Sequence, residues 1–157
     1  GQYTGDFTAI RDALEQILDP LLPEGDIAIA TYRDGTTKTL VKSDAEECNL
    51  PMTVIVNGNT ASAAELFTAS LHDFGKASIV GTQTFGKGIM QVTQTMPGGG
   101  ALTLTVATYQ TTKGECYHKV GITPDEIVEP GEDAIDYDNP DPEKDPQLKK
   151  AIEMVTQ

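Results

Sequence analysis

Six residues, Met52 to Asn57 (MTVIVN), narrow the choice of fold more than any other part of the chain. They are β-branched or apolar with almost no polar alternation, the pattern of a strand covered on both faces. After the short turn Gly58-Asn59-Thr60-Ala61, residues 62 to 74 place Ala63, Phe67, Ser70, Leu71 and Phe74 at helical spacing. Ala77 to Gly81 (ASIVG) then returns as a second short apolar strand. Strand, helix and strand in that order predict a β-α-β unit with parallel pairing, and so an α/β domain.

The flanking segments fit around this unit. Residues 7 to 19 put Ile10, Leu14, Ile17 and Leu18 on one helical face, with Pro20 and Pro23 as stop signals. Asp26 to Arg33 and Thr36 to Lys42 flank Asp34-Gly35, a dipeptide suited to a tight hairpin turn. Pro97-Gly98-Gly99-Gly100 separates Val92 to Met96 from Ala101 to Thr111, whose alternation predicts a hairpin with one wet face. Asp145 can cap a last helix with Pro146 at its first position and an apolar stripe of Leu148, Ala151, Ile152 and Val155.

A chain of 157 residues is large enough for one buried core. It has no apolar run near the roughly 20 residues of a membrane span, which predicts a soluble globular segment. Its 11 Lys and Arg against 24 Asp and Glu give a net charge of −13. That charge repels nucleic acid and anionic lipid, so neither is an expected partner. Ten of the acids fall between Asp125 and Asp145, a stretch broken by prolines and read as an acidic surface connector. Within it Asp136, Asp138 and Asp141 invite a calcium reading, but Asp141 stands where an EF-hand loop needs Gly and Gln147 where it needs Glu. Cys48 and Cys116 match no zinc spacing and can form at most one bridge. No metal or organic cofactor is expected. Residues 1–129 are expected to form a partial catalytic core, and 130–157 an acidic connector and carboxyl-terminal helix of the same domain.

Ser62 stands where the buried strand hands over to a helix, beside unpaired backbone N–H groups that can hold an oxyanion. Position makes it a candidate nucleophile. Ser62-Ala63-Ala64-Glu65 also fits a capping box, in which Ser only satisfies the helix end, and this feature alone favours the cap. His72 lies ten residues along the same helix, roughly 15 Å away, and cannot serve as its base. His118 follows the hairpin in a polar stretch that reads as an exposed loop. Lys87, between Gly86 and Gly88, is the better base candidate, though without Ser62 it would read as an exposed, snorkelling amine. A lysine accepts a proton near neutrality only where burial disfavours its ammonium form, and Phe85, Ile89 and Met90 are the nearby apolar residues. Gln91 can touch Lys87 only if the chain turns or bends over 87–91. The segment Gly81 to Gly88 falls one residue short of a phosphate-binding loop, since Gly88 replaces the required hydroxyl.

Taken together, Ser62-Ala63-Ala64-Glu65, Asp73-Phe74-Gly75-Lys76-Ala77 and Thr84-Phe85-Gly86-Lys87-Gly88-Ile89-Met90-Gln91 resemble the catalytic core of the carboxyl-terminal processing peptidases, or tail-specific proteases. The resemblance continues through Leu102 to Tyr109, Val120 to Asp125 and Asp145 to Leu148, covering nearly all of the chain from about Leu21. It implies a crotonase-like, Clp-protease-like β-α spiral, with a β-hairpin and a carboxyl-terminal helix in this partial domain. It implies Ser62 as nucleophile, Lys87 as general base, Gln91 orienting Lys87, and the Ala63 N–H as an oxyanion donor. The implied reaction is serine endopeptidase cleavage near protein carboxyl-terminal tails, outside the cytoplasm.

The chain departs from the family pattern in three ways. The glycine-rich turn that supplies a second oxyanion donor has no counterpart, the preceding PDZ domain is absent, and Val120 replaces a usual Gly. These departures imply the carboxyl-terminal part of a longer enzyme, with weak or no turnover by itself. Self-association into a homo-oligomer stays open. The rival reading is a non-catalytic protein-binding or assembly module that keeps the peptidase fold.

Overall fold

A computed structural model describes residues 7–44, 46–131 and 140–156. Asp136 and Asp138 of the calcium reading lie outside these residues. In chain order the elements are α1 (Phe7–Leu18), β1 (Gly25–Tyr32), β2 (Thr37–Ser43), β3 (Met52–Val56), α2 (Ala63–Asp73), β4 (Ala77–Gly81), β5 (Ile89–Thr95), β6 (Ala101–Thr111), β7 (Glu126–Ile127) and α3 (Pro146–Val155). A 3-10 turn over Asp19–Leu21 follows α1. No helix among the described residues is long and apolar enough to cross a membrane.

The strands form two sheets rather than one. An antiparallel sheet runs β2-β1-β6-β5, and a smaller parallel sheet runs β3-β4-β7. The β3-α2-β4 crossover takes the predicted parallel form, with Val54 opposite Ile79 and Val56 opposite Gly81. Helix α2 packs against β4 of one sheet and β1 and β6 of the other. Its residues Leu66, Ala69 and Leu71 join Leu18, Leu22, Ile27 and Val41 in a continuous core. α1 covers α2 and β2, while α3 lies on β3 and β4. The same helix therefore ties both sheets together, and its amino-terminal end lies where loops from both converge.

Four expectations need correction. β5 begins at Ile89 rather than Val92, because Ile89 and Met90 pair with Thr108 and Ala107 and Met90 is buried. The hairpin is wet on both faces beyond that point, with Val92, Leu102 and Leu104 about half exposed. No layer packs on its apolar side among the described residues. On α3, Asp145 caps as predicted, accepting from the Gln147 and Leu148 N–H groups. Gln147 and Ala151 are buried, however, whereas Ile152 is exposed. Gln147 donates to the Val128 carbonyl at 2.7 Å, which rotates the packed face away from Ile152. On α1 likewise, Leu14 and Leu18 are buried while Ile10 and Ile17 are exposed.

Gly81 ends β4 with φ +129°, and a Cβ there would lie 1.9 Å from the Val56 carbonyl oxygen. Backbone cannot yield as a side chain can. Gly81→Ala is expected to lower the unfolding free energy by roughly 2–4 kcal/mol, from steric overlap added to left-handed strain. Thermal denaturation checks this, and an unchanged midpoint would contradict so close an approach of β3 and β4.

Candidate active site

Ser62 is the N-cap of α2, with φ 58° and ψ −118°. A non-glycine residue held there costs about 1–3 kcal/mol, and such outliers concentrate at functional sites. The turn leading to it is tightly bonded: Thr60 N–H donates to the Asn57 carbonyl at 2.9 Å, and Asn57 N–H to Thr60 Oγ1 at 3.1 Å. Ser62 and Glu65 occupy the capping-box positions. The Glu65 arm is close, Oε2 accepting from Ser62 N–H at 2.9 Å. The reciprocal arm is loose, and the serine makes no side-chain hydrogen bond to the helix end. Its hydroxyl faces Tyr109 instead, Oγ lying 3.3 Å from the phenol oxygen.

Glu65 does more than cap. It is fully buried, and its second oxygen, Oε1, accepts from Thr84 Oγ1 and from Gly86 N–H, both at 2.6 Å. Oε2 also accepts from Lys87 N–H at 2.7 Å. Four donors from two segments thus converge on one carboxylate, matching its acceptor-only character. Because Ser62 N and Lys87 N share Oε2, the two backbone nitrogens cannot lie farther apart than those two bonds end to end. Thr84 Oγ1 in turn accepts from Ile122 N–H at 2.7 Å, and Lys119 N–H donates to the Gly86 carbonyl at 2.8 Å. Gly86 takes φ +88°, and a Cβ there would come 2.9 Å from Gly121 N. The loop carrying Lys87 is therefore packed backbone against backbone on residues 119–122.

Tyr109, on β6, makes a second bridge. Its hydroxyl donates to the Lys87 carbonyl at 2.7 Å, and its own N–H donates to the Gly88 carbonyl at 3.0 Å. Burial pushes this phenol above its ordinary pKa, the Ser62 hydrogen bond pulling the other way and the Glu65 charge adding to the rise. The Tyr117 ring meets it edge-on at 6.1 Å, and burial raises that phenol still more strongly. Beside Ser62 lies a mostly apolar pocket of about 50 Å³ lined by Leu14, Leu40, Val41 and Leu66 together with Ala63 and Tyr109, with Arg11 as its charged member.

The fold thus brings the main chains of Ser62 and Lys87 together, with Ala63 at the first helical position, where N–H groups lack helix partners. Among the described residues the Lys87 amine makes no hydrogen bond or ion pair. Lys87 is half-buried, and Phe85 is no wall for it, being 66% exposed. Gln91 is exposed on the hairpin, its amide 3.4 Å from Thr105 Oγ1. His72 sits elsewhere, its Nε2 3.0 Å from Asp125 Oδ1. His118 is half-buried beside Gly88 rather than exposed. Residues 82–88 run into β5 and not into a helix, unlike a phosphate-binding loop.

The sequence profile of peptidase family S41 matches residues 11–128. The chain belongs to peptidase family S41. This S41 chain is 35% identical over 135 residues to the carboxyl-terminal-processing protease of Synechocystis sp., a match covering 86% of the chain and 31% of that protein. It is 39% identical over 84 residues to a probable CtpA-like serine protease of Staphylococcus saprophyticus, covering 54% of the chain and 17% of that protein. Among solved structures, the photosystem II D1 C-terminal processing protease matches with a TM-score of 0.68 and 30% identity, over 76% of this chain and 31% of that one. The chain spans a third or less of the length of each of these relatives. The tricorn protease, at 20% identity and a TM-score of 0.53, shares the fold. The Clp-protease-like α/β architecture expected from the sequence is thereby established.

In the sequence Glu65 reads only as a cap, and Thr84 and Tyr109 carry no visible role. The signal for Glu65 was the capping box, which reports one of its four hydrogen bonds. Glu65→Gln keeps the size but turns an N–H₂ group toward donors it must accept. It is expected to cost about 2–4 kcal/mol through unpaired buried polar groups, seen as a lower urea midpoint with an unchanged slope.

Proposed function

We propose that this S41 chain carries the nucleophile and base of a serine endopeptidase that cuts proteins near their carboxyl-terminal tails. Ser62 Oγ attacks the scissile carbonyl carbon while Lys87 accepts its proton and returns it to the leaving amine. The Ala63 N–H steadies the oxyanion, and water then releases the acyl group from Ser62 by the same route in reverse. Gln91 orients the Lys87 amine. Its 3.4 Å contact with Thr105 is at the limit of a hydrogen bond, so exchanging that partner costs little. The protein acts outside the cytoplasm.

The observation that carries this reading is the common anchorage of Ser62 and Lys87 on one Glu65 oxygen. Two residues separated by 25 positions are held backbone to backbone, one of them in a strained conformation at a helix amino terminus. A structural cap alone explains neither the strain nor the second anchor. The apolar pocket beside Ser62 supports the substrate assignment, since its mostly aliphatic lining suits a small apolar side chain and, with Arg11 as its one charged group, offers no partner for a cation.

Two expectations follow for the intact protein that contains this chain. A fluorophosphonate probe labels Ser62; Ser62→Ala abolishes labelling and peptide cleavage, and Lys87→Ala slows labelling at least about 100-fold without lowering the melting midpoint. Peptide cleavage that survives Ser62→Ala would overturn the assignment, and a well-folded protein that neither labels nor cleaves would favour the binding-module reading. Among peptides differing only at the residue before the scissile bond, Ala or Val is expected to exceed Lys in kcat/KM by about 10-fold or more, since the pocket holds Arg11 and no carboxylate. Equal rates would place that side chain outside the apolar pocket.

A further inference from the structure

The main chain of Lys87 is held at both ends. Its N–H is fixed by Glu65 and its carbonyl by the Tyr109 hydroxyl. Ser62 is held in the same paired manner, its N–H by Glu65 and its Oγ facing Tyr109. A carboxylate on α2 and a phenol on β6 therefore each touch both residues. One phenol proton can serve only one acceptor. At 2.7 Å the Lys87 carbonyl takes it, which leaves the oxygen lone pairs of Tyr109 facing the serine hydroxyl at 3.3 Å.

We propose that Tyr109 is a positioning residue of the active site, its hydroxyl setting the rotamer of Ser62 and the main-chain placement of Lys87 together. This rests on the Ser62 and Lys87 reading above. The phenol is well placed for the task because it is held rigidly. Its residue is 3% exposed, its N–H is bonded to Gly88, and the Tyr117 ring packs edge-on against it. Burial keeps it protonated above the ordinary range, so it remains a donor to the Lys87 carbonyl at the pH where a peptidase works. It does not exchange protons with the substrate. Its effect is on the fraction of time the hydroxyl and the amine share a productive geometry, a quantity to which rates respond steeply.

The test is Tyr109→Phe in the intact protein, which keeps the ring and deletes only the oxygen. The readout is the pseudo-first-order rate constant of fluorophosphonate labelling, together with kcat and KM on a peptide. A rate constant counts folded molecules only, so partial unfolding would lower the labelled amount and leave the rate. The expected result is a fall of about 10-fold or more in both labelling rate and kcat, with KM within twofold of the wild type. A labelling rate and kcat within twofold of wild type, or a loss confined to KM, would overturn the proposal. Ser62→Ala in the same assay separates the two levels. If its loss of labelling is complete while Tyr109→Phe is unimpaired, only the role of Tyr109 falls. If labelling persists in Ser62→Ala, the active-site reading falls and the positioning role with it.

Discussion

A buried carboxylate can be kept in a protein interior only where donors satisfy it, and Glu65 meets that condition with four. Each donor belongs to a segment that would otherwise be free to wander. Ser62 supplies one from the turn after β3, while Thr84, Gly86 and Lys87 supply three from the loop after β4. The parallel β3-α2-β4 unit places both loops at the same end of the sheet. Glu65 closes the gap between them, and Thr84 passes the constraint on to Ile122. The strained torsions of Ser62 are tolerated because its neighbours leave it no other conformation.

Much of the architecture was legible beforehand where the local signals agreed. β3, α2 and β4 were readable because burial on both faces, helical spacing and turn residues all pointed the same way. The Asp145 cap and Pro146 announced α3 for the same reason. The errors lie where tertiary packing decides. Ile152 carried the right period but lost its place to Gln147, whose amide found the Val128 carbonyl. Ile89 and Met90 fell outside the expected strand because their pairing partners, Thr108 and Ala107, stand 17 or more residues away. The hairpin alternates as a half-buried strand should, yet nothing in its own residues tells whether a second layer exists to cover it.

The candidate site was legible in its chemistry and illegible in its framework. Ser62 and Lys87 stand out through their neighbours in sequence, a strand-to-helix junction and a pair of glycines. Tyr109 does not, because its contacts with Ser62 and Lys87 cross 47 and 22 residues and leave no periodic trace. Glu65 was half visible: its bond to Ser62 spans three residues, and its bonds to Thr84, Gly86 and Lys87 span 19 to 22. Residue types that bond to backbone across such distances are found only by seeing the chain folded.

Apart from the local bond between Ser62 and Glu65, the fastenings that hold Ser62 and Lys87 in register come from distant stretches of chain. No short piece can assemble them by itself, so the constellation arises at the same moment as the tertiary structure. A partly folded copy of this polypeptide accordingly lacks the paired placement of Ser62 and Lys87. The juxtaposition is a property of the whole fold, gained and lost with it.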